Sequence, residues 1–191
     1  MKKDIILAGV GGQGILTIAT IIGHAALKRG WHLKQAEVHG MSQRGGDVQS
    51  HLRLSSEPIW SDLISLGKAD MILSVEPMEA LRYLPYLAPD GWIITNKTPF
   101  NNVAVYPDLE AIYAEIRKIP NHVLIDADVI AKAVKANRSM NIVVLGAAIG
   151  HLGFSSDEIA DAITASFSRK GEAIVEGNLR ALKAGINAEI E

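Results

Sequence analysis

The chain of 191 residues contains no cysteine. That absence excludes disulfides, a thiolate zinc site, a cysteine nucleophile and an iron–sulfur cluster held by the usual all-thiolate set. Redox chemistry in this protein therefore needs a bound organic cofactor or a metal cluster on a partner. An excess of one charge sign is missing as well. Lys and Arg number 19 against 21 Asp and Glu, a net charge of -2, and the pI is near 6.3. Nothing in that balance points to nucleic acid, and no charged block marks a solvated tail. Long hydrophobic runs are absent too. The longest, residues 15–27, is broken by Thr17, Thr20 and His24 and falls short of the roughly 20 residues of a membrane span. The apolar run after Met1-Lys2-Lys3-Asp4 is too short for a signal-peptide core. The expectation is a cytoplasmic chain with no membrane or nucleic-acid partner.

What is present is ample apolar material, 48% of residues, enough to fill a core. With no linker, repeat or low-complexity segment in view, 1–191 reads as a single domain. Residues 4–8 read as a buried strand. Residues 13–29 read as a helix with a narrow polar stripe of Thr17, Thr20, His24 and Lys28. Gly30 then stops the helix, and 31–38 form a second strand. Strand, glycine turn, helix and strand make a βαβ unit, which predicts adjacent parallel strands. Further strands are expected at 48–55, 71–75, 92–95 and 123–125. Helices are expected at 77–87, with Pro77 in its first turn, and at 109–119. Pro89-Asp90-Gly91 reads as a turn, and Asp126 or Asp128 as the cap of a helix reaching Ala136. The last third is helical. Residues 141–152 are almost wholly apolar, Ser155 to Glu158 has capping-box spacing, and 170–188 carry apolar residues at helical steps. The fold class expected is α/β: a three-layer α/β/α, Rossmann-like arrangement with a mainly parallel sheet and a helical C-terminal end.

Residues 9–14, Gly-Val-Gly-Gly-Gln-Gly, join the first strand to the first helix. Such a G-x-G-x-x-G turn lets backbone approach a ligand or another chain closely. One reading is a dinucleotide site, with Glu37 at the end of the second strand on the ribose. The other is a tight turn that packs helix on sheet. The loop after Glu37 is unusual: His39-Gly40-Met41-Ser42-Gln43-Arg44-Gly45-Gly46-Asp47 sets polar side chains among three glycines. Polar loops at strand ends commonly carry function. It leaves the carboxyl end of strand two beside the first turn, so two glycine-rich loops should meet at one sheet edge. Arg44 reads there as an anion clamp or as a surface arginine, and His39 as a proton donor or a structural hydrogen-bonder. The other histidines are scattered, with no metal-binding spacing. A nucleophile elbow, a Walker lysine, H-E-x-x-H and a thiamine diphosphate motif around Asn101-Asn102 are all missing.

Gly9-Val-Gly-Gly-Gln-Gly-Ile-Leu-Thr17 followed by Glu37-Val-His-Gly-Met-Ser-Gln-Arg-Gly-Gly46 resembles the gamma-type subunit of 2-oxoacid:ferredoxin oxidoreductases. The second stretch is most similar to the indolepyruvate branch, whose beta subunit has this form. Glu76-Pro77, Ala80 to Pro85, Asp126-Ala127, Asn141-Ile142-Val143, Leu145-Gly146 and Asn178 to Ala181 extend the resemblance over the chain with no clear departure. It implies a subunit that binds no cofactor alone. A larger alpha-type partner would carry thiamine diphosphate and iron–sulfur clusters, coenzyme A would take the acyl group, and ferredoxin the electrons. Gly9, Gly11, Gly12, Gln13, Gly14, Gly45 and Gly46 would then form loops facing substrate, coenzyme A or the partner. His39, Ser42, Gln43 and Arg44 are the candidates for touching reacting groups. Two other classes stand beside this reading, an autonomous NAD(P)- or FAD-dependent oxidoreductase and a non-enzymatic binding module.

Overall fold

Asp4 to Val10 are all buried, because their strand lies inside a sheet covered on both faces. In the computed structural model, residues 1–39, 45–101 and 104–189 are described, and for His39 the backbone alone. Six strands form one sheet: β1 (Lys2–Val10), β2 (His32–His39), β3 (Asp47–Ser55), β4 (Ala69–Ser74), β5 (Leu87–Asn96) and β6 (His122–Ile125). Their order is β2-β3-β1-β4-β5-β6. The seven α-helices among the described residues are α1 (Ile15–Lys28), α2 (Pro77–Arg82), α3 (Leu109–Arg117), α4 (Ala127–Ala133), α5 (Met140–Leu152), α6 (Ser156–Phe167) and α7 (Glu172–Ile186).

Alternate residues of each central strand serve different cores. Ile5, Leu7, Met71, Leu73 and Ile94 face α1 and α4 to α7. Ile6, Ala8, Ile72, Ile93 and Leu124 face α2 and α3. Each such isoleucine or leucine contributes about 1.5–3 kcal/mol by burial. The result is the three-layer α/β/α arrangement with a helical end.

The sheet departs from the expected βαβ pairing in one respect. β1 and β2 run in the same direction but are not neighbours, because β3 lies antiparallel between them. β1, β4, β5 and β6 are parallel. β3 does not alternate cleanly, because Ser50 falls among the apolar positions Val48, Leu52 and Leu54. Leu52 and Leu54 pack under α1, and Ser50 on that face accepts a hydrogen bond from Gln35 at 3.1 Å. On the other face His51 Nδ1 accepts the Ile64 amide at 3.0 Å, and Arg53 pairs with buried Asp4 at 2.8 Å. An interior strand covered on both faces need not alternate polar and apolar.

Three further local expectations are corrected. Pro89-Asp90-Gly91 lies within β5, not in a turn, where the β4–β5 register shifts between Ala69 and Met71. The helix starting at Pro77 ends at Arg82 and continues only as a 3-10 turn, Leu84–Tyr86. Asp126 holds the N-cap position of α4 without a side-chain cap bond. Buried Asn96 takes that role, accepting the Ala127 amide at 3.1 Å and donating to Asp128 at 2.8 Å.

The C-terminal helices are held by a close contact between two of them and by an ion pair to the end of α1. α5 and α7 meet at Gly146 and Gly185. A Cβ on Gly185 would lie 2.1 Å from the Val143 carbonyl oxygen, so the contact admits no side chain. At the other side, Arg29 chelates Glu158, the capping-box residue of α6, and donates to the Gly153 carbonyl at 2.8 Å. Arg29 holds the Glu158 carboxyl down from 4.5 to about 2.

Two outcomes follow from these contacts. Gly185→Ala should lower the unfolding free energy by about 1–3 kcal/mol through overpacking, measured by chemical denaturation. Gly150→Ala, where nothing lies within 4 Å, should be neutral or stabilising by up to about 1 kcal/mol. A lowered folded-state pKa gives stability that is present at neutral pH and lost as pH falls. Glu158→Gln should therefore be less stable than the parent above about pH 4.5, and the difference should vanish towards pH 2. A difference that persists at low pH would contradict the Arg29 pairing as its source.

Candidate functional site

The turn after β1 is built by its own polar groups. Gln13 folds back so that its Oε1 accepts the Val10 amide at 2.8 Å, while its own amide donates to the Val10 carbonyl at 3.1 Å. Gly14 takes the left-handed conformation, φ 85°, in which glycine is favoured. A Cβ there would also come 2.5 Å from Asn141 Nδ2. Asn141, at the start of α5, donates to the Gly14 carbonyl at 3.0 Å. The N-termini of α1 and α5 are thus fixed against each other, and both present unpaired amides and positive dipole ends to one side.

The two glycine-rich loops do meet. The Gly11 amide donates to the Gly46 carbonyl at 2.9 Å, and Val10 faces Asp47 in the β1–β3 ladder. From the other face of the sheet, the Tyr83 hydroxyl donates to Asp47 at 3.1 Å. Burial and the Asp47 carboxylate together push the Tyr83 phenol up, so it remains a donor at any physiological pH. Beside it, fully buried Glu76 accepts the Glu79 amide at 2.8 Å, the Phe100 amide at 3.2 Å and the Tyr106 hydroxyl. Burial and that bond raise the Tyr106 phenol as well. Glu79, also buried, is pushed up by desolvation and is paired with Arg82 at 2.8 Å. These carboxylates are all engaged in holding α2 and the segment after β5.

Three adjoining depressions share Gly12 at the carboxyl ends of the parallel strands. One, of about 370 Å³, is mainly apolar and lined by Gly11, Ile15, Leu16, Glu37 and Val48. A second, of about 290 Å³, reaches Thr98, Phe100 and Asp128 beyond β5 and β6. The third, of about 570 Å³, opens on the helical side between the α1 turn, residues 135–141 and α7.

Gly11, Gly12, Gln13, Gly14, Gly45 and Gly46 therefore stand on one edge, as their spacing suggested. Gly9 does not face it. It is buried in β1, where a Cβ would come 2.4 Å from Val75 Cγ2. Glu37 is exposed on β2, opposite Ser50 and one strand removed from β1. That is about 10 Å from β1 at two interstrand spacings, not the adjacent-strand position from which an acidic residue holds a ribose. Ser42, Gln43, Arg44 and the His39 side chain lie outside the described residues. His24 meets Ser166, His122 meets the Ile119 carbonyl, and His151 stacks on Trp92 at 3.7 Å. Among the described residues no three His, Asp or Glu side chains gather as a metal set. The helical-side depression is assembled from separate segments, residues 12–17, 135–141 and 167–180. Its signal was the polar, basic run Lys135-Ala-Asn-Arg-Ser139 between two apolar helices.

Residues 4–188 match the family described as pyruvate ferredoxin/flavodoxin oxidoreductase. The chain belongs to that family. Among its curated members, it is 37% identical to the indolepyruvate oxidoreductase subunit IorB of Archaeoglobus fulgidus, over 100% of this chain and 96% of that one. It is 38% identical to the IorB subunit of Pyrococcus horikoshii, over 100% and 98%. The crystal structure of pyruvate oxidoreductase subunit PORC from Thermotoga maritima has the same fold, with a TM-score of 0.76 at 20% identity, covering 100% of this chain and 97% of that one. In this oxidoreductase family member, the glycine turn and its Asn141 tie are the built part of the edge.

Replacing Asn141 with Ala should lower stability by about 1–3 kcal/mol, through the lost bond and the unfilled contact. Amide exchange of residues 12–18 should quicken in the same variant. A variant with parental exchange rates in that segment would contradict the role given to Asn141.

Proposed function

We propose that this chain is the subunit of a 2-oxoacid:ferredoxin oxidoreductase that carries neither thiamine diphosphate nor iron–sulfur clusters, with indolepyruvate or a related aryl pyruvate as substrate. The observation that carries the reading is the end-to-end similarity to indolepyruvate oxidoreductase subunits, in a chain whose two glycine loops are joined at one edge by the Gly11–Gly46 bond. A cysteine-free chain fits a division of labour in which a larger alpha-type partner holds both redox cofactors. Those cofactors, on the partner, supply decarboxylation and electron transfer to ferredoxin, and coenzyme A accepts the acyl group. The reaction is cytoplasmic in this reading.

The part played by this chain is to wall the partner's active site. The free amides of the α1 turn offer donors to an anion. Ser42, Gln43 and Arg44 contact the 2-oxoacid carboxylate or the phosphates of coenzyme A, with His39 at the base of their loop. Gly45 and Gly46 let the loop return to β3 against the Gly11 amide. The position of β3 between β1 and β2 argues against an autonomous dinucleotide enzyme, since Glu37 then lies one strand further from β1 than in a crevice between adjacent parallel strands, although it still lines a depression shared with Gly11.

A pull-down from native extract should recover a large, brown, cysteine-rich subunit, and the pair should oxidise aryl pyruvates with coenzyme A and a ferredoxin or viologen acceptor. In the reassembled enzyme, Arg44→Ala should raise KM for oxoacid or coenzyme A about 10- to 100-fold, the loss of one hydrogen bond to a charged group at ~1.5–3 kcal/mol. Unchanged kinetics in an intact complex would sink the assignment of Arg44. A stable monomer with no cluster-bearing partner would sink the reading as a whole.

A further inference from the structure

The segment between β3 and β4, residues 56–68, presents three large apolar side chains to solvent. Trp60 is 93% exposed, Leu63 55% and Leu66 65%. A single exposed apolar residue needs no explanation, but a tryptophan and two leucines close together mark an interaction surface. The segment is also fixed from inside. The Arg53 guanidinium, paired with buried Asp4, donates to the Ser61 carbonyl at 2.9 Å and to the Leu63 carbonyl at 3.1 Å. Buried His51 accepts the Ile64 amide at 3.0 Å, and Ile64 itself belongs to the core that α2 and α3 cover. The Gly67 amide donates to the Pro85 carbonyl at 2.9 Å, and Lys34 on β2 pairs with Asp62 at 2.9 Å. Polar anchors thus hold the backbone while the apolar side chains stay outside.

Two further observations bear on what covers this surface. The first is its extent. β2 and β3 take their main helix packing from α1, whereas α2, on the other face, packs on β1, β4 and β5. On that uncovered face Ala36 pairs with His51 beneath the loop, and half-exposed Val38 lies two residues further along β2, about 7 Å away. The glycine-rich stretch 40–46 follows at once. The apolar surface therefore runs from the 56–68 loop toward the edge that carries Gly11 and Gly46. The second observation is charge. The charged residues of 56–66 are Glu57 and Asp62, both acidic. Glu57 is exposed and has no ion pair among the described residues. Two copies of this chain set face to face would bring like charges together, whereas an apolar pocket rimmed by Lys or Arg would match them.

We propose that this loop, together with Val38, docks the larger, cofactor-bearing subunit of the oxidoreductase. The Trp60 indole is seated in an apolar pocket of that subunit, with a Lys or Arg at the pocket rim opposite Glu57. The choice of occupant rests on the reading of this chain as a subunit. The loop itself is remote from the glycine turns, because β3 starts at Asp47 beside Val10 and ends at Ser55 beside Lys2 before the loop begins. Tryptophan is enriched among the residues whose removal costs an interface most. A loop already held by Arg53 and His51 needs little further ordering on docking. Its contribution is to the affinity of assembly and not to the chemistry.

Reassembly tests it. The cofactor-bearing subunit recovered from native extract, freed of this chain, is titrated with the full chain and read by oxidation of an aryl pyruvate with coenzyme A and viologen. Trp60→Ala should melt at the parental temperature and reach the parental maximal rate. The concentration it needs for half-maximal activity should rise about 30-fold or more. Leu66→Ala should shift the same curve in the same direction. Leu27→Ala, which removes a leucine 56% exposed on α1, should leave it unchanged. Hydroxyl-radical oxidation of Trp60 should fall on assembly. A parental curve for Trp60→Ala, or undiminished oxidation of Trp60 within an intact complex, would overturn the docking surface and leave the subunit reading standing. A parental chain that joins no cluster-bearing subunit would overturn both. A free chain that dimerises, with the dimer lost in Trp60→Ala, would overturn the proposal in favour of a second copy.

Discussion

The carbonyl of Gly14 accepts three hydrogen bonds, from the Thr17 and Ile18 amides and from the Asn141 side chain. Around that one acceptor the chain leaves β1, starts α1 and receives the first turn of α5. The left-handed backbone of Gly14 aims the carbonyl away from the turn, and the absence of a side chain lets Asn141 reach it. Gln13 closes the same turn from the β1 side. That edge of the sheet is thereby held by backbone and amide groups, which keep their geometry regardless of pH. What remains free at that edge is a set of helix N-terminal amides, and these favour anions.

A second constraint shapes the same edge. β3 enters the sheet between β1 and β2, so the loop carrying Ser42, Gln43 and Arg44 is the link of an antiparallel hairpin rather than the exit of a parallel neighbour. The hairpin brings Gly46 to Gly11 and displaces Glu37 by one strand. Tyr83 on Asp47, and Glu76 on Tyr106 and Phe100, brace the same edge from the opposite face. Such bracing suits a wall against which a partner's active site closes. It does not suit a crevice that receives a dinucleotide between adjacent parallel strands.

Much of this was legible in the residues themselves. Apolar runs such as Ile5-Ile6-Leu7-Ala8, the Ser155 to Glu158 capping box and the two glycine-rich stretches carry local signals strong enough to place elements and to bring the two glycine turns to one edge. Pairing partners were less legible. A βαβ pattern favours adjacent strands, and nothing in 32–55 states that the following strand will insert between them. Likewise Pro89-Asp90-Gly91 has turn chemistry but is drawn into β5 by its neighbours. The basic cleft on the helical side is not legible in the sequence because its cations come from three separate places: the α4–α5 turn, the 3-10 turn after α6 and the middle of α7. Packing of α7 on α4 and α5, including Gly146 on Gly185, brings Arg180 beside the first, and packing of α6 on α7 brings Lys170.

The central claim is that the joined glycine loops form the face turned toward a catalytic partner. Hydrogen–deuterium exchange of this chain, alone and in its native complex, tests it most directly. The account predicts that slowing on assembly centres on residues 9–16 and 37–48. Unchanged exchange in both stretches, with protection confined to the opposite edge of the sheet, would contradict it.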